Sequence, residues 1–338
     1  MQLFSTLFIS AILSLNCVTA MATAFPLTVH NCGSTETFQH PPAKVVTIGQ
    51  HETELMLSLG LESKIAGTAV WFGKLPSELE QSGKDLKRIA ENSPGFEAVA
   101  ALHPDLVMAQ YSWHVGPQGE VASRQQFESL GIKTWISPAD CTGKSVTPTS
   151  NGDGARTTPY SLNTLYDEIT QIAAIFDVTP RGEALKDALI QRVEQAQKHA
   201  KKRNGKPLNV VYWFSSTRLQ GDPWIAGNMG APGWITHTLN LKNIIDSSEE
   251  WPAVPWEHIA RSQPDIIVIA RMDRRLYPAD DVAVKKAFLQ TDPVTREMNA
   301  VKQGHIVVVP AMYLNPSLGN VDALELISQQ VAAFNEHE

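Results

Sequence analysis

Short apolar runs alternate with stretches of helical period along the first half of the chain. The runs lack a polar alternation, which is typical of strands buried on both faces of a parallel sheet. A strand, helix, strand order needs crossover connections, and these pair the strands in parallel. The predicted strands are Lys44–Ile48, Lys64–Val70, Leu106–Ala109 and Lys133–Ile136, and the predicted helices are Glu52–Leu59, Phe96–Leu102 and Gln118–Leu130.

The same pattern restarts in the second half of the chain. It predicts a second α/β unit in which strands and helices again alternate. The predicted strands are Leu208–Phe214, Ile266–Ala270 and His305–Val309, and the predicted helices are Trp234–Leu239, Trp256–Ser262, Val282–Leu289 and Val321–Phe334.

A long amphipathic helix is predicted between the two halves, over residues 179–205. Thr179 is a good N-cap, Pro180 suits the first helical position and Gly205 can end the helix. A narrow apolar stripe follows the helical period at Leu185, Leu189, Val193, Ala196 and Ala200. At about 1.5 Å per residue, such a helix spans roughly 35 Å, the width of a small domain. It could be an ordinary surface helix, but its position favours a rigid link between two lobes.

An internal repeat supports this division. In Phe96-Glu97 and in Trp256-Glu257 an aromatic residue precedes a glutamate, and Pro-Asp follows seven positions after each glutamate, directly before an apolar strand. Proline ends a helix and restricts the entry into the next strand, so each copy is sensible turn chemistry. We therefore predict an α/β fold of two similar lobes, with parallel central sheets, one long linking helix and a ligand cleft between the lobes. The predicted bounds are 25–178, 179–205 and 206–338.

Residues 1–24 carry the signature of a secretory signal peptide. An apolar segment, Leu3–Leu15, is too short for a typical bilayer span and precedes small-residue cleavage sites at Ala22 and Ala24. The residues before Cys17 do not match a lipidation motif, so we expect no lipid anchor. The formal net charge of -7 and the lack of a basic run argue against nucleic acid as a partner.

Two cysteines remain once that segment is removed. An even cysteine count in an oxidising compartment indicates a disulfide between Cys32 and Cys141, although two unpaired thiols are the alternative.

The chain resembles the periplasmic substrate-binding proteins of ABC importers, in the class that carries ferric siderophores, haem and cobalamin. The resemblance rests on KVVTIGQHETELMLSLGL, FEAVAALHPDLVMA, the linking helix, WEHIARSQPDIIVIA and AVKQGHIVVVP. It implies two lobes on one rigid helix, a periplasmic location, a monomer, no cofactor and no catalysis. It also implies that Glu97 and Glu257 dock on an ABC permease in the inner membrane. The ligand is then a small-molecule metal chelate, with a ferric siderophore favoured over cobalamin, haem or another small molecule.

Ligands of parallel α/β lobes sit at the carboxyl ends of the strands, so residues near those ends are candidates for the cleft. Aromatic rings suit a large apolar chelate, and arginines suit its carboxylates. The candidates are Trp71, Phe72, Glu91, Tyr111, Trp113, His114, Trp213, Phe214, Trp224, Arg271, Arg274 and Arg275. Tyr111 and His114 could ligate ferric iron or serve as hydrogen-bonding groups. Related siderophore binders often carry arginine where this chain has Glu91, a departure that leaves room for a neutral or partly cationic ligand.

Two other classes of function have less support. A secreted enzyme would be expected to show a nucleophile elbow, a His-Glu-x-x-His helix or a Walker loop, and the sequence has none of them. A bare metal-ion receptor needs a compact set of His, Asp and Glu, whereas the ten histidines are scattered. We therefore predict no protein-bound metal.

Overall fold

The computed structural model describes residues 23–117, 119–146, 152–201 and 206–335, so residues 1–22 of the predicted signal segment lie outside it. The strands of the first lobe are β1 (Leu27–Asn31), β2 (Ser34–Phe38), β3 (Val45–Ile48), β4 (Ile65–Ala69), β5 (Leu106–Ala109), β6 (Lys133–Ile136), β7 (Lys144–Ser145) and β8 (Ala155–Arg156). Its helices are α1 (Gln50–Ser58), α2 (Glu80–Gly83), α3 (Phe96–Ala100), α4 (Ser112–Val115), α5 (Arg124–Glu128) and α6 (Leu162–Ile175).

The first lobe is built on a parallel sheet in the order β4-β3-β5-β6. Every residue of the two central strands, β3 and β5, is buried, because helices and loops cover both faces. This explains why both strands read as unbroken apolar runs. The chain enters the lobe through an antiparallel hairpin of β1 and β2.

The second lobe repeats this plan. Its strands are β9 (Asn209–Ser215), β10 (Trp224–Ile225), β11 (Lys242–Asn243), β12 (Ile266–Arg271) and β13 (Ile306–Pro310), and its helices are α8 (Ala231–Thr238), α9 (Trp256–Arg261), α10 (Val282–Thr291), α11 (Asn299–Gln303) and α12 (Gly319–Asn335). The sheet order is β10-β9-β12-β13, with β11 also paired to β9, and all pairings except β9 with β10 are parallel. The predicted fold class is therefore confirmed.

The linking helix is α7 (Thr179–Lys201). Its apolar stripe is shared between the lobes, because Leu189 packs in a core of the first lobe and Ala196 in a core of the second. Val193, halfway between them, contacts both cores. One continuous helix thus carries part of each core.

The repeated Pro-Asp pair has the same role in both lobes. The carboxylate of Asp105 accepts the backbone N–H groups of Ala43 and Lys44 at 2.7 and 2.8 Å, at the entry to β3. The carboxylate of Asp265 accepts the N–H of Asn209, the first residue of β9, at 2.8 Å. Each aspartate therefore ties the start of its own strand to the neighbouring central strand.

One predicted helix is much shorter than expected. The segment Gln118–Leu130 is predicted to be helical throughout. Gln118 lies outside the described residues, and of the remainder α5 covers only Arg124–Glu128. Ser123 caps it, accepting the N–H of Gln126, while the Gln126 side chain accepts the N–H of Ser123. Gly119 has a φ of 55°, outside the helical range, so the chain turns before this capping box.

Candidate functional site

A cavity of about 960 Å³ lies between the lobes, at the carboxyl ends of β4, β9, β12 and β13. The first lobe contributes residues 72–75 and Asn92, and the second contributes Phe214, Ser215, residues 271–277, Asp280, residues 310–313 and Asn315. Parallel strands end together at one edge of their sheet, and the two sheets present these edges to each other. The cavity is therefore where the strand order of both lobes predicts a ligand.

The walls of this cavity combine aromatic rings with cations. The rings belong to Phe72, Phe214, Tyr277 and Tyr313, and the cations are Lys74, Arg271, Arg274 and Arg275. The lining residues include two acids, Asp273 and Asp280. Four cations against two acids favour a ligand with negative groups on an apolar body.

Arg274 crosses the rim of the cavity from the second lobe to the first. Its Nη1 donates to the carbonyl of Trp71 at 2.7 Å and to that of Glu91 at 2.6 Å, and its Nη2 donates to the side chain of Asn92. The guanidinium is 43% exposed, so it lies at the mouth and not in the interior. Arg274 therefore bridges the two lobes at this side of the cavity.

The segment that carries these arginines, residues 271–277, is anchored by a buried acid that follows it. Asp280 accepts Ser215 Oγ at 2.6 Å and the N–H of Ser216 at 2.9 Å, and it pairs with Lys285 Nζ at 3.4 Å. Burial lowers the pKa of Lys285 to about 8, although Asp280 opposes this shift. This ion pair lies inside the protein. The three arginines of residues 271–277 pair with other acids, Arg271 with Asp273 at 3.4 Å, Arg274 with Glu91 at 3.5 Å and Arg275 with Asp281 at 2.8 Å.

The other half of the cleft is filled by the chain itself. We name residues 138–146 and 152–160 the cleft loop. It crosses to the second lobe, where Arg156 pairs with Glu250 and the Tyr160 hydroxyl donates to Asn320 at 2.9 Å. A cavity of only about 10 Å³ remains on this side, lined by Tyr111, Asp140 and Glu250 among others. The cleft loop therefore divides the cleft.

The predicted aromatic cluster of the first lobe lies on this filled side. The rings of Tyr111 and Trp113 are stacked with their centroids 4.1 Å apart, and His114 lies behind them, with a side chain only 2% exposed. Burial lowers the pKa of His114 to about 4 and raises that of Tyr111 well above its usual range. Both side chains are therefore neutral near pH 7, and neither lines the large cavity.

Five predicted residues do line the large cavity, namely Phe72, Phe214, Arg271, Arg274 and Arg275. Trp71 and Glu91 take part through their carbonyls, while the ring of Trp71 is buried beneath Arg88. Trp224 lies behind the wall, with its ring 6.0 Å from that of Tyr277.

The structure corrects the expectation for Trp213. This side chain is fully buried in the second lobe, packs edge-on against Trp256 and donates to Ser216 Oγ. Successive residues of a strand point to opposite faces, so Phe214 and Trp213 cannot both face the cleft.

Lys74, Asn92 and Met312 were missed as candidates. Met312 follows the end of β13, and the strand-end rule would have found it. Lys74 and Asn92 lie in loops without a sequence signal.

The two candidate docking glutamates, Glu97 and Glu257, are exposed, each in the first turn of a short helix, α3 and α9. Corresponding helices of the two lobes thus present one carboxylate each to solvent. A disulfide joins Cys32 to Cys141, with Cα atoms 5.6 Å apart, and ties the β1–β2 hairpin to the cleft loop.

Three potential metal ligands meet although the histidines are scattered in sequence. His51, Glu52 and Glu168 lie together in the interior of the first lobe. The sequence carried no signal for this contact when we predicted no metal site, because Glu168 is far from His51 and Glu52 along the chain.

The family model for periplasmic binding proteins matches residues 45–313, which include both sheets and the large cavity. The chain belongs to the periplasmic binding protein family. Members serve ABC importers as substrate-binding transport proteins, and membership implies a location outside the cytoplasm.

Individual relatives agree with this assignment. The vitamin B12-binding protein of Pectobacterium atrosepticum is 23% identical over 256 residues, which cover 74% of this chain and 77% of that protein. A periplasmic binding protein from Veillonella parvula has a TM-score of 0.74 at 21% identity, covering 91% of this chain and 97% of that one. An ABC-type Fe³⁺-hydroxamate transport system from Saccharomonospora viridis has a TM-score of 0.71 at 23% identity, covering 91% and 99%. At these identities the two structures show that the fold is shared.

No helix in the described ranges has the length and apolar character required to cross a membrane.

Proposed function

We propose that this family member captures a ferric siderophore in the periplasm and delivers it to an ABC permease in the inner membrane. The observation that carries the proposal is the interlobe cavity of about 960 Å³, walled by aromatic rings and arginines. Its volume is at the upper end of the range for small-molecule sites, which suits a bulky chelate. The iron is cargo inside that chelate, and no residue of the chain has to act as a catalyst.

The charge of the cavity supports an anionic chelate despite Glu91. At the position where related siderophore binders carry an arginine, the second lobe supplies Arg274, whose guanidinium lies against the Glu91 carbonyl. Arg271 and Arg275 add two more cations from the same segment. The positive charge expected for a siderophore site is thus present, but it comes from the opposite lobe.

Cobalamin is the second candidate, and it is favoured by the relative named as a vitamin B12-binding protein. Cobalamin offers mainly amides and one phosphodiester, whereas a catecholate siderophore or haem offers several acidic groups, so cobalamin needs the arginines less. Replacing the arginines therefore separates the two candidates.

The test is quenching of tryptophan fluorescence by ferric hydroxamate and catecholate siderophores, haem and cyanocobalamin. We expect a ferric siderophore to quench with submicromolar affinity, and Arg271→Ala to weaken it at least about tenfold, as loss of a charged hydrogen bond would. The matched control is Arg296→Ala, since Arg296 is 55% exposed and outside the cavity. If cyanocobalamin alone binds, and Arg271→Ala does not change its affinity, the proposed ligand is cobalamin and not a siderophore. If none of the four ligands quenches the fluorescence, the proposed role as a chelate receptor is wrong.

Delivery is proposed to use Glu97 and Glu257, because two carboxylates at a fixed separation can read two basic pockets and so set orientation. The double variant Glu97→Ala/Glu257→Ala should bind ligand normally, as a monomer, but fail to stimulate the ATPase of the permease. Normal stimulation by this variant would contradict the docking role.

A further inference from the structure

The three residues His51, Glu52 and Glu168 form a buried cluster under the cleft. His51 and Glu52 lie in the first turn of α1 and Glu168 lies on α6. Their exposed fractions are 1%, 0% and 1%, and their nearest ligand atoms all lie within 4.8 Å of one another. The turn that places them is tight: Gly49 has a φ of 135°, and a Cβ there would lie 2.4 Å from that of Gln110.

Glu52 is the unusual member of this cluster. Both of its carboxylate oxygens are buried and have no hydrogen-bond partner. Among the described residues, Glu168 forms an ion pair with His51, and no Lys or Arg side chain pairs with Glu52 or Glu168. A proton or a cation has to neutralise this carboxylate, because a bare buried charge is very costly.

Neighbouring groups hold the other two ligands in place. Trp135 Nε1 and Ser137 Oγ donate to Glu168 at 3.3 and 3.1 Å. His51 Nδ1 accepts the N–H of Leu318 at 3.3 Å, so Nε2 carries the ring proton and donates it to Glu168 at 3.1 Å. Such outer contacts orient the ligands of metal sites and support their affinity.

We propose that His51, Glu52 and Glu168 bind one divalent transition-metal ion of the Zn²⁺ type. One imidazole and two carboxylates are the ligands that zinc and its neighbours accept. On binding, Glu52 releases its proton to solvent. The ring proton of His51 moves to Nδ1, which frees Nε2 for the metal and ends the bond from the Leu318 N–H. The two carboxylates then balance the charge of the ion.

The small cavity of the cleft shares two lining residues with the surroundings of this cluster. Ser137 and Gln110 line that cavity, and each also contacts the cluster, Ser137 through Glu168 and Gln110 through the N–H of His51. The ion would enter between these two side chains. The site is separate from the large cavity, so it does not depend on the chelate proposed above.

The test uses the full mature chain, stripped with a chelator and titrated with Zn²⁺ in a calorimeter, and with Co²⁺ followed by visible absorption. We expect one ion per chain. Glu52→Gln should weaken binding at least about tenfold while folding normally, since glutamine mimics the protonated acid. The matched control is Glu80→Gln, an exposed glutamate in the first turn of α2, which should bind like the wild type.

Absence of stoichiometric Zn²⁺ and Co²⁺ binding by the wild type would overturn the proposal, whatever the variants do. So would equal affinity in Glu52→Gln. If Glu52→Gln does not fold, His51→Asn takes its place, with loss of the cobalt absorption as the expected result and its retention as the contrary one. Siderophore quenching in Glu52→Gln should remain, which separates this site from the large cavity.

Discussion

The ion pair of Arg156 and Glu250 should be the strongest single contact between the lobes. Its side chains are 2% and 5% exposed, and Arg156 Nε donates to Glu250 Oε1 at 2.5 Å. Glu250→Gln removes the negative charge and leaves the guanidinium buried, with the carbonyls of Ala139 and Thr142 as its other acceptors. Removing one partner of a buried pair costs about 3–5 kcal/mol, because the remaining charge stays desolvated.

Urea unfolding at pH 7, followed by circular dichroism, measures this cost as a change in the free energy of unfolding. The double variant Arg156→Met/Glu250→Met should recover most of it, because no charge is then left buried. Glu297→Gln is the control, since the pair of Arg296 with Glu297 is more than half exposed, and an exposed pair contributes little to stability. A cost below about 1 kcal/mol for Glu250→Gln would refute the reasoning, because the pair would then behave like a surface pair.

Three further predictions concern the rim, the aromatic cluster and the disulfide. Arg274→Ala should raise the association rate of the ligand in stopped-flow quenching, because the rim loses its bridge; an unchanged or lower rate would contradict a gating role. His114 is buried neutral with a pKa of about 4, so it stabilises the fold above about pH 6.5 and this contribution falls between pH 6.5 and 4. His114→Phe should remove about 3 kcal/mol of that pH dependence, and an unchanged profile would exclude this role. Cys32→Ser/Cys141→Ser opens a loop with a sequence separation of 109 and should lower the free energy of unfolding by about 2–5 kcal/mol; equal stability would show that the bond constrains little.

Elements with a strong local signal could be predicted from the sequence. The linking helix was found because its apolar stripe lies within one segment. The structure starts α7 at Thr179, the predicted N-cap, one residue before the predicted first helical position, and the predicted end at Gly205 lies outside the described residues. The strands β3, β4, β5, β6, β9, β12 and β13 were found because parallel strands are unbroken apolar runs. The two-residue strands β10 and β11 were not predicted, because they are too short to form such a run. The two Pro-Asp pairs also marked the helix-to-strand junctions correctly, because their effect on the backbone is local.

Contacts between distant segments could not be predicted. The cleft loop has no apolar period, so nothing in it indicates that it fills half of the cleft. Trp213 and Phe214 are neighbours in one strand, and the choice of which ring faces the core depends on the sheet as a whole. The hydrogen bond between His51 and Glu168 forms only because α1 and α6 come close together in the folded lobe.

The placement of α7 has a consequence for how the molecule unfolds. Leu189 belongs to one core and Ala196 to the other, and they are joined by two turns of uninterrupted helix. A protease cut or a gene split on either side of that helix would strip one half of an apolar surface that it needs. We therefore expect neither half to be stable when produced alone, and the intact chain to melt in a single calorimetric transition in spite of its two sheets.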